Sequence, residues 1–259
     1  MEKSFNRVIA YGCSLTAGDE LMDHVFMNMS FEKCNSIKRQ FILDSNKRID
    51  AGFKFRRTYN IKTADKELNC NHSWAAYLAK HLNLPFENRA KSGSSIDQVY
   101  FTIYHDLLSS SISNTDLILV GLPPQYRIID FRNPQKVLSL SNLHLDKDNL
   151  EHKLLIDMFN DDSAFFHYFK TVELLCNLKI NIRIQPMISD MVPNSSYKIN
   201  HTKDYINSVW NNSVKNMLLS EECLRPRVVN GELKNCGFGH PPVESHILLA
   251  EKIYNQVVF

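Results

Sequence analysis

The sequence predicts an α/β fold in which helices cover both faces of a parallel sheet. Short apolar runs alternate with longer amphipathic patterns along the chain, which is the order of strands and crossover helices. The run "DLILVGL" at Asp116–Leu122 is apolar on both faces, as a central parallel strand is. With 259 residues, 44% of them hydrophobic, the chain is long enough for one sizeable core.

Strands and helices are predicted in alternation. The four strand candidates are Arg7–Gly12, Phe86–Ala90, Asp116–Leu122 and Asn181–Ile188. The first long helix is predicted in "SWAAYLAKHLNL", where Ser73 is a plausible N-cap ahead of an apolar stripe. Four further helices are predicted at Ile96–Leu108, Ala164–Leu178, Asp204–Leu219 and Val243–Val257.

Two segments break this alternation, at about residues 20–72 and 128–162, within what we expect to be a single domain over 1–259. Loops of this length are usually lids or binding loops, although decorative subdomains are an open alternative. The first insertion carries a basic stretch at 38–57, "KRQFILDSNKRIDAGFKFRR". A nucleic-acid partner is not expected, because the net charge is only +2 and most charge runs are solvated faces, but this stretch leaves it open.

Composition narrows the class of protein further. There is no run of 18 apolar residues, so no membrane span is expected, and the N-terminal stretch lacks the apolar region of a secretory signal. The six cysteines form no CxxC pair, and we interpret them as reduced thiols of a cytoplasmic protein. No Cys/His spacing resembles a zinc site, so neither a metal nor an organic cofactor is expected.

The carboxyl ends of the predicted strands bring together the parts of a nucleophilic site, since ligands of doubly wound sheets bind there. The first strand delivers Ser14 in "YGCSLTAG", the second delivers Gly93 in "NRAKSGSS", and "CGFGHPPVESH" places His240 before the last helix. A serine nucleophile needs a base and oxyanion donors, and these residues could supply them. Each also has a structural alternative: a helix N-cap for Ser14, a turn for Gly93 and a packed histidine for His240.

Four stretches, in this order, resemble the blocks of the SGNH or GDSL-type hydrolase family. They are "YGCSLTAG", "SWAAYLAKHLNLPFENRAKSGSS", "DLILVGLPPQYR" and "GHPPVESHILLAEKI". The resemblance implies a three-layer α/β/α sandwich with a flavodoxin-like parallel sheet. It also implies that Ser14 is the nucleophile and an oxyanion donor through its N–H, that Gly93 supplies a second N–H, and that His240 is the general base.

The chain departs from the family pattern at two places. The third block lacks the family's asparagine, and Arg127 is our preferred substitute as a third oxyanion donor, with Gln125 the alternative. The family's aspartate, two or three residues before the histidine, is also absent, because positions 237 and 238 hold glycine and phenylalanine. We expect a backbone carbonyl or a distant acid such as Asp190 to orient His240 instead.

The function implied by the resemblance is a serine esterase or deacylase that hydrolyses a small acyl ester, for example an O-acetyl group on a glycan. Two alternatives remain at this stage: an acyltransferase on the same scaffold, and a catalytically degenerate binding module. A bacterial or phage-encoded protein is expected, and in the second case the location would be the virion or the host cytoplasm. Two neighbours of these residues are interpreted as structural: Cys13 as a small buried residue, and His246 as a core histidine.

Overall fold

A computed structural model describes residues 4–45, 48–59, 69–125, 127–130, 133–139, 161–187, 200–220, 223–224, 227–229, 232–234 and 240–256. The strands are β1 (Arg7–Tyr11), β2 (Phe86–Asn88), β3 (Asp116–Leu122), β4 (Arg127–Asp130), β5 (Asn133–Ser139), β6 (Ile182–Pro186), β7 (Arg227–Val229) and β8 (Glu232–Lys234). The helices are α1 (Ser14–Ala17), α2 (Asp23–Phe26), α3 (Phe31–Leu43), α4 (Arg48–Thr58), α5 (Trp74–His81), α6 (Ile96–Leu108), α7 (Asp161–Cys176), α8 (Asn200–Val209) and α9 (Val243–Gln256).

The central sheet has four parallel strands in the order β2-β1-β3-β6. Right-handed crossovers in this order place α5 and α9 on one face and α6 and α7 on the other. The helices of each pair pack against each other. The predicted three-layer α/β/α fold with a parallel sheet is therefore confirmed.

The middle of the sheet is the centre of the core. Every residue of β3 is buried, and Leu117, Ile118, Leu119 and Val120 are completely inaccessible to solvent. This confirms the interpretation of the "DLILVGL" run as a strand covered on both faces. Ser73 is also confirmed as the N-cap of α5, because its side chain accepts a hydrogen bond from the N–H of Ala76.

One predicted helix is not continuous. The segment predicted as a helix over Asp204–Leu219 contains the end of α8, a π-helical turn at Trp210–Val214 and a 3₁₀ turn at Lys215–Met217. The next residues leave the helix, and the N–H of Leu219 donates to the carbonyl of Ile184 beside β6. This contact with the sheet edge explains why the helical pattern ends early.

The two insertions differ in structure. The described part of the first is helical, with α2, α3 and α4, and two cations of its basic stretch form internal ion pairs: Lys38 with Asp23, and Arg56 with Asp19. The second begins with the antiparallel hairpin β4–β5, and its remainder up to α7 lies outside the described residues. Among the described helices, none has the length and apolar character needed to cross a membrane.

Candidate active site

Ser14 follows the end of β1 and is the first residue of α1. The short helix ends at Gly18, which has the left-handed φ of 76° that favours glycine. Cys13, not Ser14, is the N-cap residue of this helix, so the structural alternative for Ser14 does not apply. The N–H of Ser14 lies in the first helical turn, where N–H groups have no acceptor within the helix.

Thr16 fixes the shape of this turn by packing. A Cβ atom added to Gly121 would lie 1.8 Å from the Thr16 Oγ1 atom, and one added to Gly12 would lie 2.5 Å from it. Gly12 also has a φ of 150°, which L-residues rarely adopt. Two glycines, on β3 and after β1, therefore leave the space in which the completely buried Thr16 side chain sits.

The turn that holds Gly93 lies beside the Ser14 turn. The N–H of Lys91 donates to the carbonyl of Gly12 at 3.0 Å, and the side chain of Asn88 donates to the carbonyl of Thr16 at 3.1 Å. Gly93 has a φ of 81°, and apart from its two chain neighbours no atom of the described residues lies within 4 Å of the position that a Cβ would occupy there. The second block is thus tied to the first, with open space at Gly93.

His240 is paired with a carboxylate from the first insertion. Its Nδ1 atom lies 2.9 Å from Oε1 of Glu20, whose side chain is only 4% exposed. Glu20 has a φ of 72°, a left-handed conformation that is uncommon for a residue with a side chain and that clusters at functional sites. Asp190, the acid expected to orient the histidine, lies outside the described residues. Among the described residues, the carboxylate that contacts the His240 ring is that of Glu20.

The buried residue Asn69 supports the segment that carries Glu20. The side-chain oxygen of Asn69 accepts from the N–H of Met22 at 2.6 Å. A Cβ on Gly18 would come within 2.5 Å of the Asn69 carbonyl oxygen, so the two segments pack backbone to backbone. Residues at the far end of the insertion therefore hold the turn that presents Glu20 to His240.

Glu20 is the main group that raises the pKa of His240 against the effect of burial. Burial lowers the pKa of the imidazole, but the charge of Glu20 and its hydrogen bond raise it, with a further contribution from Asp19, and the net pKa is raised. Because Nδ1 faces the carboxylate, the neutral ring carries its proton there and leaves Nε2 free to accept one. This is the arrangement of a general base held by an acid.

Gln125 and Arg127 follow β3 and carry buried donors. Gln125 is 4% exposed, and among the described residues neither its Nε2 atom nor the Nη1 atom of Arg127 has a hydrogen-bond partner, although both atoms are buried. The charge of Arg127 acts on the thiol of Cys13, the residue next to Ser14. Buried donors without acceptors are rare in native proteins and call for an explanation, such as a ligand that accepts from them.

Two other residues near the site have structural roles, as the sequence indicated. Cys13 is completely buried, and burial raises the pKa of its thiol, which disfavours the nucleophilic thiolate. Nδ1 of His246 accepts a hydrogen bond from the N–H of Trp74 at 3.0 Å, and burial lowers the pKa of this histidine to about 3. In the described part of the chain, no group of three or more side chains could hold a metal ion.

Sequence reasoning missed Glu20 because the contact is made by tertiary structure. Glu20 and His240 are 220 positions apart, and the family pattern directs attention to the residues just before the histidine. The only local signal is that Asp19 and Glu20 directly follow the serine turn in the sequence.

No family model and no curated protein matches the chain, but solved structures match over nearly its whole length. One is a catalytic mutant of an acetylxylan esterase from Geobacillus stearothermophilus, at 10% identity and a TM-score of 0.44, covering 100% of this chain and 97% of that one. Another is an α/β hydrolase enzyme from the metagenome of Lake Arreo, at 9% identity and a TM-score of 0.43, covering 97% and 96%. A third is a protein assigned to the lipolytic G-D-S-L family, from Desulfitobacterium hafniense DCB-2, at 13% identity and a TM-score of 0.40, covering 97% and 99%. The chain is thus similar to GDSL-type lipolytic proteins and acetylxylan esterases at a distance that assigns it no activity.

Proposed function

We propose that this protein is a serine ester hydrolase in which Ser14, His240 and Glu20 form the catalytic triad. The observation that carries the proposal is the buried carboxylate of Glu20, 2.9 Å from Nδ1 of His240. A histidine oriented in this way is the base that a serine nucleophile requires. The absence of both the family's asparagine and its aspartate is the reason to consider a degenerate binding module, and Glu20 weighs against the part of that alternative that rests on the aspartate.

The reaction proceeds in two halves. His240 takes the proton of the Ser14 hydroxyl at Nε2 while Oγ attacks the ester carbonyl, and Glu20 stabilises the imidazolium. The tetrahedral intermediate collapses as His240 gives its proton to the leaving alcohol. Water then attacks the acyl-enzyme while His240 accepts a proton from it, and a second tetrahedral intermediate forms. This intermediate collapses as His240 returns the proton to Oγ of Ser14, and the acid leaves.

The developing oxyanion needs donors that are in place before the reaction. In our proposal the N–H groups of Ser14 and Gly93 supply two, and the open space at Gly93 leaves room for the substrate. Arg127 or Gln125 supplies the third, which would give their unpartnered buried donors an acceptor. The substrate we expect is the ester of a small acyl group, which is what the four sequence blocks imply.

The experiment that tests this function is labelling with a fluorophosphonate probe, read by intact mass. Activated Ser14 attacks phosphorus, fluoride leaves, and a single phosphonyl adduct is expected. The adduct should be absent in Ser14→Ala and strongly slowed in His240→Ala, and it should form normally in Ser92→Ala, an exposed serine of the neighbouring turn. A panel of p-nitrophenyl acetate, butyrate and octanoate then ranks acyl length. Labelling of folded Ser14→Ala at the wild-type rate would contradict the proposal.

A further inference from the structure

The first insertion places a buried lysine behind the Glu20–His240 pair. Lys38, on α3, has a side chain that is 1% exposed, and its Nζ atom lies 3.6 Å from Oε2 of Glu20 and 2.8 Å from Oδ2 of Asp23. Glu20 thus has one carboxylate oxygen toward His240 and the other toward Lys38. The ammonium also lies 5.4 Å from the centre of the Phe55 ring on α4.

Stability alone is a poor explanation for this lysine. Lysine is almost never fully buried unless it is paired, because removing its charge from water costs several kcal/mol. Well-packed apolar residues often replace buried ion pairs without loss of stability. Lys38 shares the buried face of α3 with Cys34 and Asn35.

The charge of Lys38 opposes that of Glu20 at the imidazole. Among the described residues, four ionisable groups interact electrostatically with His240: Glu20 and Asp19 from the turn after α1, Lys38 from α3, and His246 from α9. The two carboxylates favour the imidazolium, whereas Lys38 disfavours it. Asp23 and Glu20 are the acids that Lys38 contacts, and Cys34 and His24 also lie within range of its charge.

We propose that Lys38 is a positioning residue of the catalytic site, whose ammonium holds the Glu20 carboxylate in place and sets the pH at which His240 becomes a base. The first insertion is then part of the catalytic machinery, since it supplies both the acid and the cation that moderates it. This inference rests on the proposed function of His240 as general base, but its geometry does not depend on the substrate.

The test is a direct titration of the His240 ring by NMR, assigned with a His240→Gln variant. The informative protein is the double variant Asp23→Asn, Lys38→Met, because it removes one cation and one anion and keeps the net charge. We expect the midpoint of His240 to rise by about one pH unit, the scale of a single nearby charge. The matched control is Lys33→Met, which removes an exposed cation from the same helix and should leave the midpoint unchanged.

Three outcomes decide the matter. A raised midpoint, with the acid limb of kcat/KM moving upward by the same amount, supports the inference. A folded double variant that is less stable but titrates as the wild type does would overturn it, since Lys38 would then be structural only. A raised midpoint in a protein that hydrolyses no ester would support the role of Lys38 while refuting the proposed function. If the double variant does not fold, Lys38→Gln, a neutral side chain of similar length, replaces it with the same expected direction.

Discussion

Oε1 of Glu20 and Nδ1 of His240 lie 2.9 Å apart although 220 positions separate the two residues. Glu20 follows the serine turn, whereas His240 lies just before α9, so folding brings together two parts of the chain that are far apart in sequence. In the proposed mechanism Glu20 is the acid that orients His240, a role that the residues just before the histidine cannot fill.

Replacing Glu20 by Gln should lower kcat/KM for a small acyl ester by roughly 10²- to 10⁴-fold, as in triads that lose their acid. The carboxylate raises the pKa of His240, so its removal lowers that pKa, and the acid limb of the pH–rate profile should move to lower pH. A pH series of p-nitrophenyl acetate hydrolysis measures both effects. Glu20→Asp, which keeps the charge on a shorter arm, should keep part of the activity; a profile that is identical in wild type and Glu20→Gln would contradict the assignment.

Replacing Gln125 by Met should stabilise the protein while it slows turnover. The Nε2 atom is buried and has no partner in the described part of the chain, and such a donor costs about 1–3 kcal/mol of desolvation that methionine does not incur. We expect the free energy of unfolding, measured in urea, to rise by about 1 kcal/mol, and kcat to fall. Gln185→Met is the matched control: this buried glutamine donates from Nε2 to the carbonyl of Pro186 at 2.9 Å, so its replacement should destabilise the protein. Loss of stability in both variants would mean that the Nε2 atom of Gln125 does have a hydrogen-bond partner.

Replacing Arg127 by Met should lower kcat by roughly 10²-fold with little change in KM, because an oxyanion donor acts in the transition state. The charge of Arg127 acts on the thiol of Cys13, the residue next to the proposed nucleophile Ser14. Steady-state kinetics on a neutral ester separate the two constants. A raised KM at constant kcat would instead identify Arg127 as a group that binds the substrate in its ground state.

The fold was predictable from sequence where burial dominates the pattern. β3 has the predicted bounds and β1 ends one residue earlier than predicted, because apolar runs in a parallel sheet carry a signal that does not depend on distant contacts. The segment after α8 was predicted less well. It changes to π and 3₁₀ turns, and the N–H of Leu219 then donates to the carbonyl of Ile184, a tertiary contact that no local pattern records.

The residues of the candidate site were likewise predictable from sequence only in part. Ser14, Gly93 and His240 stand in short motifs, each next to a strand end or a helix start, so sequence alone could propose them. Lys38 was interpreted as part of a solvated basic stretch, yet its side chain is buried against Glu20 and Asp23. A run of charges does not reveal which of its members faces the core, since that depends on how α3 packs.

The packing of Thr16 against β3 gives a prediction about stability. In Gly121→Ala the new methyl group would lie 1.8 Å from Oγ1 of Thr16, so something must shift, and we expect a loss of about 2–3 kcal/mol or more in the free energy of unfolding. Adding Thr16→Ala removes the clashing oxygen, so the double variant should recover much of this loss. Gly12→Ala should not be rescued in the same way, because its Cβ would also lie 2.6 Å from the Gly121 carbonyl oxygen. Urea unfolding of the single and double variants measures the coupling, and additive losses at Gly121 and Thr16 would show that the clash is relieved elsewhere.

The buried His246 should make the free energy of unfolding depend on pH. Burial lowers its pKa to about 3, below the ordinary value of the unfolded chain, so only the unfolded state binds a proton there at intermediate pH. Stability is therefore fully present above about pH 6.5 and is lost as the pH falls from there toward about 3. His246→Asn keeps an acceptor near the position of Nδ1 for the N–H of Trp74 but does not titrate. Urea unfolding at about pH 7 and about pH 4.5 should show a drop in the free energy of unfolding that is smaller in the variant by roughly 2 kcal/mol. Equal drops in the two proteins would mean that the acid sensitivity of the fold originates elsewhere than at this histidine.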